Sequence, residues 1–188
     1  VASGSPTGAF YSASTAYSFL GGNSTGTNLI QTLETTLTIG NAEDSGDLSS
    51  NRQVIAGITG STYGFFSGGY TGGAATNIVD YITRANVVGN ATDSGDLTVS
   101  RYGAAGTYGA TYGFTGGGVT VAAELNVIDY ITIATAVQNA TDSGDLSLAR
   151  SDMGAVSATL GQFAGGAISS GTATTNVIDH HTLSSATG

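Results

Sequence analysis

The sequence predicts an all-β protein built as a repeat array, and three observations carry that prediction. The phrase Asn90-Ala-Thr-Asp-Ser-Gly-Asp-Leu-Thr-Val-Ser-Arg101 returns at Asn139–Arg150 and, varied, at Asn41–Arg52, so that Asp44, Asp93 and Asp142 keep a fixed period of 49 residues. A period near 50 marks one supersecondary unit per repeat. No segment combines an apolar face at helical spacing with caps, and the 30 glycines would make helices costly, at about 1 kcal/mol per interior glycine. Finally, short runs rich in β-branched and aromatic residues alternate with Gly, Ser, Asn and Asp, which is the pattern of strands and turns.

The chain divides by its period into a single repeat domain over 1–188, with repeats at 1–52, 53–101, 102–150 and an incomplete one at 151–188. Each repeat has the same grammar. After the arginines Arg52, Arg101 and Arg150 comes a small-residue stretch, then an aromatic run ending in a glycine pair: Gly21-Gly22, Gly68-Gly69, Gly116-Gly117 and Gly165-Gly166. Phe19, Phe66, Phe114 and Phe163 each stand two residues before a pair. An aromatic supplies core area, and glycines let the backbone approach a neighbour closely. A loop follows, then a third strand at Asn28–Leu33, Asn77–Ile82, Asn126–Ile131 and Asn176–His181, apolar on both faces as in a strand covered on both sides. The Asp-Ser-Gly-Asp phrase reads as a turn that leads to a short fourth strand such as Leu97-Thr-Val99. By the period, the last copy of that turn falls beyond Gly188, which leaves the fourth repeat without its last strand. The N-terminal residues, another chain, or residues past Gly188 would have to cover that edge. The start at Val1 suits a processed product or a window of a longer polypeptide.

Composition excludes several classes of function. Charged residues are 9% and apolar residues 40% of the chain, the reverse of a disordered composition. The net charge of −9, with four arginines as the only long cations, argues against a nucleic-acid partner, because phosphate binding needs clustered Lys and Arg. Without cysteine there are neither disulfides nor thiolate metal sites. No apolar run is long enough to span a membrane as a helix, and no signal peptide is visible.

Four strands per repeat with two buried faces is what a propeller blade requires. The arginine, the glycine pair after an aromatic strand, the Asn-φ-φ-Asp-Tyr strand and the closing phrase together resemble the kelch repeat, in four copies over the whole chain. The resemblance implies a kelch-like β-propeller of four-stranded antiparallel blades. The chain departs from the kelch pattern in lacking its late tryptophan; an Asp-Gly-Asp-Leu segment stands there instead. A copper oxidase of kelch type would also need a cysteine cross-linked to a tyrosine, and no cysteine exists. The phrases "NATDSGDL" and "NxIDYIT" and the lysine-free composition look like repeats of structural proteins of marine, cyanophage-like bacteriophages.

Candidate chemistry is sparse. Asp44, Asp47, Asp93, Asp96, Asp142 and Asp145 could offer oxygen ligands to Ca²⁺, but such aspartates more often cap a turn by accepting backbone N–H bonds. The arginine eight residues on is then a natural salt-bridge or carbonyl partner. Asp80, Asp129 and Asp179 recur in the third strand, where a structural hydrogen bond, unlike a catalytic group, would be repeated. His180 and His181 are adjacent on a strand, point to opposite faces and cannot easily share a metal. No nucleophile elbow, phosphate loop or zinc-protease motif appears, and no cofactor is called for. Asn23, Asn90 and Asn139 fit the N-glycosylation pattern but read as turn residues. Spacing between the glycine pair and the third strand varies most, so the loops holding Asn23, Tyr70, Thr76, Gly118, Glu124 and Thr174 are either a contact surface or drifting linkers without function. The expectation is a non-enzymatic structural or assembly part of a virion or extracellular assembly. Its expected partners are copies of itself or other structural chains. The alternative is a carbohydrate- or receptor-binding module.

Overall fold

The computed structural model describes residues 8–12, 17–21, 27–34, 41–86, 88–169 and 171–187, with the side chains of 8–12 and 17–20 left aside. The chain is all-β among these residues, and every strand pairing is antiparallel. Three sheets have four strands in sequence order: β1 (Gly8–Ser12) to β4 (Glu43–Asp47), β5 (Ala56–Thr59) to β8 (Thr92–Asp96), and β9 (Ala105–Tyr108) to β12 (Thr141–Asp145). The fourth sheet has three, β13 (Gly154–Ser157), β14 (Leu160–Ala164) and β17 (Ile178–Thr182). A small hairpin, β15 (Ala167–Ile168) with β16 (Ala173–Thr174), sits in the loop before β17. Successive sheets touch through their first strands, β1 with β5, β5 with β9 and β9 with β13, and no comparable contact joins the fourth sheet to the first among the described residues.

The Asp-Ser-Gly-Asp phrase is not a turn before the fourth strand. It is the fourth strand itself, and the Leu97–Val99 run lies outside any strand. Turn-forming residues stand in a strand here because each copy carries a β-bulge. Register shifts at Ile30/Gln31, Val79/Asp80 and Ile128/Asp129 leave Ser45, Ser94 and Ser143 as the extra residues, all buried. Bulges of this kind suit a glycine in an unusual conformation, and Gly46, Gly95 and Gly144 take φ of 147°, 144° and 131°.

Pairing register also revises the glycine and phenylalanine pattern. Phe66 lies opposite Asp80 and Phe163 opposite Asp179, but Phe114 lies opposite Tyr130, as Phe65 does opposite Tyr81. Adjacent strand residues face opposite ways, so Phe66 and Phe163 look back toward the preceding sheet while Phe65 and Phe114 look forward. The position opposite aspartate in the third sheet belongs to Thr115. Likewise the counterpart of Gly68-Gly69 is Gly117-Gly118, with φ of 61° and 100° against 65° and 127°, and Gly116 is the last residue of β10 (Tyr112–Gly116). Gly165-Gly166 has the same conformation. Gly22 and the side chain of Phe19 lie outside the described residues.

The core is divided into layers between sheets. Ile30, Leu48, Ile55, Phe66 and Ile82 fill the first joint. Ile58, Phe65, Val79, Leu97, Ile131, Ile133 and Ala140 fill the second. Ala105, Phe114, Ile128, Leu146, Phe163 and Leu183 fill the third.

Candidate functional site

The feature repeated most faithfully is a latch that crosses each joint. Arg52, Arg101 and Arg150 leave the end of one sheet and thread their side chains into the next, where all three are fully buried. Each guanidinium pairs with the third-strand aspartate of that next sheet: Arg52 with Asp80 at 2.7 Å, Arg101 with Asp129 at 2.6 Å, Arg150 with Asp179 at 2.9 Å. Each also donates to a carbonyl of the second strand, Phe66, Thr115 or Phe163. The same aspartates accept the backbone N–H of Ser49, Thr98 and Ser147, which follow the previous sheet's fourth strand. So the arginine's partner is not the acidic phrase eight residues before it. The phrase faces outward, whereas the arginine turns inward and needs a buried counter-charge.

The glycine pair completes this latch from the other side. Gly69 and Gly118 donate their N–H groups to the carbonyls of Arg101 and Arg150, each at 2.9 Å. A Cβ on Gly68 or Gly117 would stand 2.5 or 2.6 Å from those same carbonyl oxygens. Glycine is required there for both its positive φ and the close approach. Arg101 and Arg150 are thus gripped by their backbone in one sheet and by their side chain in the next. Burial pushes the Arg52 and Arg101 guanidiniums below their usual range, and the facing carboxylates push back. Around Asp179 burial acts to raise the carboxyl's pKa, but bonds from Ser147 and Arg150 outweigh it and hold it below the ordinary carboxylate range.

Outer edges are joined too. The segment before each fourth strand lies along the previous sheet's edge: Gly89 donates to Ser45, Ala91 to Asp47, Gln138 to Ser94 and Ala140 to Asp96. The side-chain oxygens of Asn90 and Asn139 accept the N–H of Asp47 and Asp96, each at 3.0 Å. Asn90 and Asn139 are therefore edge caps.

The aspartates of the phrase do not gather. Asp44, Asp93 and Asp142 each use one carboxylate oxygen to accept the N–H of the glycine two residues on. Asp47, Asp96 and Asp145 sit at the far end of the same short strands, and no group of three or more metal-binding side chains forms among the described residues. His181 is buried against the Phe114 ring at 4.5 Å, with Nε2 3.0 Å from the Ser143 hydroxyl, and burial lowers its pKa. His180 is exposed on the opposite face of the strand.

The loops are tighter than their sequence suggests. Gly69–Thr76 and Gly118–Leu125 have equal length, and each is closed by an N–H of its last residue on the carbonyl of its first. With Gly117-Gly118 as its pair, the third repeat has the same loop spacing as the second. Gly166–Thr175 is two residues longer and carries β15 and β16. Thr71 and Thr120 pin the tips by donating to Ala74 and Ala123. Thr76 and Gly118 belong to the latch framework, the Tyr70 ring packs tilted against that of Tyr102 at 5.0 Å, and Thr174 is exposed on β16. Asn23 lies outside the described residues. Beside the Gly118–Leu125 loop a cavity of about 180 Å³ is lined by Tyr102, Val119, Thr120, Glu124 and Asp152.

In comparisons with known proteins, no family model and no curated protein matches the chain.

Proposed function

We propose that this chain forms the blades of a kelch-like β-propeller and serves as a non-enzymatic structural or assembly part of a virion or other extracellular particle, with further structural chains as its partners. The observation that carries this reading is the latch. Three of the four arginines, and all three third-strand aspartates that face them, are spent on holding one sheet to the next. Such a scaffold is rigid and repeats its contacts, which suits an architectural part. The kelch-like and phage-like phrases of the sequence point the same way. Native mass spectrometry tests the reading: a multimer, or co-assembly with other particle proteins, is the expected result, and a monomer that joins no particle overturns it.

A second reading, a glycan-binding module, rests on the cavity between Tyr102, Glu124 and Asp152. An aromatic face beside two carboxylates suits a sugar ring and its hydroxyls. Binding on a glycan array that is lost on Tyr102→Ala, with fold and assembly retained, is the outcome that would favour it.

A further inference from the structure

The sequence carries no lysine, so its four arginines are the only residues after which a trypsin-class protease can cut it. Arginine and lysine ordinarily stand at the surface and are almost never fully buried unless paired. Here Arg52, Arg101 and Arg150 are fully buried and Arg84 is 6% exposed. A trypsin-class protease must draw the arginine side chain into a specificity pocket of its own, and it needs the backbone on either side open to it. Neither condition holds at the latches. The guanidiniums are held by Asp80, Asp129 and Asp179 of the next sheet. The N–H groups of the three arginines donate to the carbonyls of Thr27, Thr76 and Leu125. Across the scissile bonds, the N–H groups of Gln53, Tyr102 and Ser151 donate to the carbonyls of Tyr70, Val119 and Ala167. A cut at any of the three therefore requires a joint to open.

Arg84 is held differently. It follows β7 (Ile78–Thr83), and its Nη1 donates to the carbonyls of Gly60 and Ser61, in the turn before β6 (Tyr63–Ser67). Its N–H donates to Thr62, but the chain beyond it is exposed at Ala85 and Asn86. Releasing Arg84 breaks none of the three latches. The geometry points to a built-in resistance to trypsin-class proteases: three arginines are cut only when a joint opens, and Arg84–Ala85 is the first bond to yield. The protection lies in where the arginines stand, since Val137, in the connection after β11 (Val127–Thr132), is 67% exposed. This property goes beyond the architectural reading above and holds whatever the chain assembles with.

Limited trypsin digestion of the native chain, followed by intact mass, tests it beside the Val137→Arg variant, which places an arginine at that exposed connection. Circular dichroism checks that the variant keeps the parent fold. The variant should be cut after residue 137 roughly tenfold or more faster than the parent is cut anywhere, because cleavage at a sealed site follows the small population of opened chain. On prolonged digestion the parent's first nick should fall at Arg84–Ala85, and the urea-unfolded parent should be cut at all four arginines. Two results would overturn the inference: native cutting at Arg52, Arg101 or Arg150 ahead of Arg84, or a folded Val137→Arg variant as resistant as the parent. The second would assign the protection to rigidity of the whole chain rather than to burial of its arginines.

Discussion

The hydroxyls of Ser67 and Thr115 meet at 2.9 Å in the second joint, at the two positions that Gly21 and Phe66 hold in the first joint and Gly116 and Phe163 hold in the third. A Cβ on Gly21 would stand 2.6 Å from the Phe66 ring, and one on Gly116 would stand 2.7 Å from the Phe163 ring. The large residue looks back and the small one receives it. Where the large residue is replaced by threonine, the small one has become serine and the gap is closed by a buried hydrogen bond. Volume and polarity have changed together across one interface.

That pairing predicts non-additive mutants. Thr115→Phe alone drives a ring into Ser67 and removes the hydroxyl pair, and should cost roughly 1–3 kcal/mol by overpacking. Adding Ser67→Gly rebuilds the arrangement of the other two joints and should recover most of the loss. Urea denaturation of the two single variants and the double variant measures the coupling. Additive effects would show that the two sites are independent.

The latch predicts a gradient along the array. Asp80 and Asp129 are fully buried while Asp179 is 19% exposed. Asp129→Ala leaves Arg101 charged and uncompensated inside the protein, a loss of roughly 3–5 kcal/mol. Asp179→Ala should cost clearly less, since water reaches that arginine's partner. Replacing the pair together, Arg101→Met with Asp129→Leu, should restore much of the stability, because the desolvation of both charges is removed along with their attraction. Thermal melting of the three variants decides this, and equal losses for Asp129→Ala and Asp179→Ala would contradict it.

Much of this was legible in the sequence because the repeat displays it four times. The 49-residue period, the third strands and the structural role of Asp80 and Asp129 follow from spacing and residue type. Four things were hidden. Asp, Ser and Gly read as turn formers, and a strand bulged at Ser94 has no local signature that separates it from a turn. A triple glycine at Gly116–Gly118 allows two registers, and only strand pairing shows which glycines approach Arg150. The partner of Arg52 lies in the next sheet at Asp80, so the nearest acids in sequence, Asp44 and Asp47, draw the eye first. The Asn90 and Asn139 caps were missed for a related reason, since a glycosylation pattern and a turn residue are read locally while a cap on the neighbouring sheet is not.

Backbone strain predicts a stabilising change. Val54, Gly103 and Asp152 occupy the same place in successive repeats and all take positive φ, at 56°, 64° and 53°. They form a relay in which Gly103 donates its N–H to the Val54 carbonyl and Asp152 donates to the Gly103 carbonyl. A β-branched residue pays most for this conformation. Val54→Asn keeps the relay and relieves the strain, and should stabilise by about 1 kcal/mol. Gly103→Val should do the opposite and by more, because its Cβ would also stand 2.8 Å from the Asp152 carboxylate. Calorimetric melting of both variants would show the opposed shifts.

Acid should weaken the third joint in two stages. Burial holds the pKa of His181 below its ordinary value, so the folded state keeps the ring neutral while the unfolded chain takes up a proton. Stability from this group is therefore complete above the unfolded value of about 6.5 and is lost as pH falls below it. Asp179 has the sign of a stabilised carboxylate: its pKa is depressed by Ser147 and Arg150. Its contribution is present above an unfolded value of about 3.9 and disappears as pH falls through its lower folded value. Melting temperature should then decline first between about pH 7 and 5 and again below about pH 4. His181→Ile supplies the residue that Ile82 and Ile131 provide in the other sheets, and should abolish the first decline while leaving the second. If the variant melts with the same pH profile as the parent, the first stage does not belong to His181.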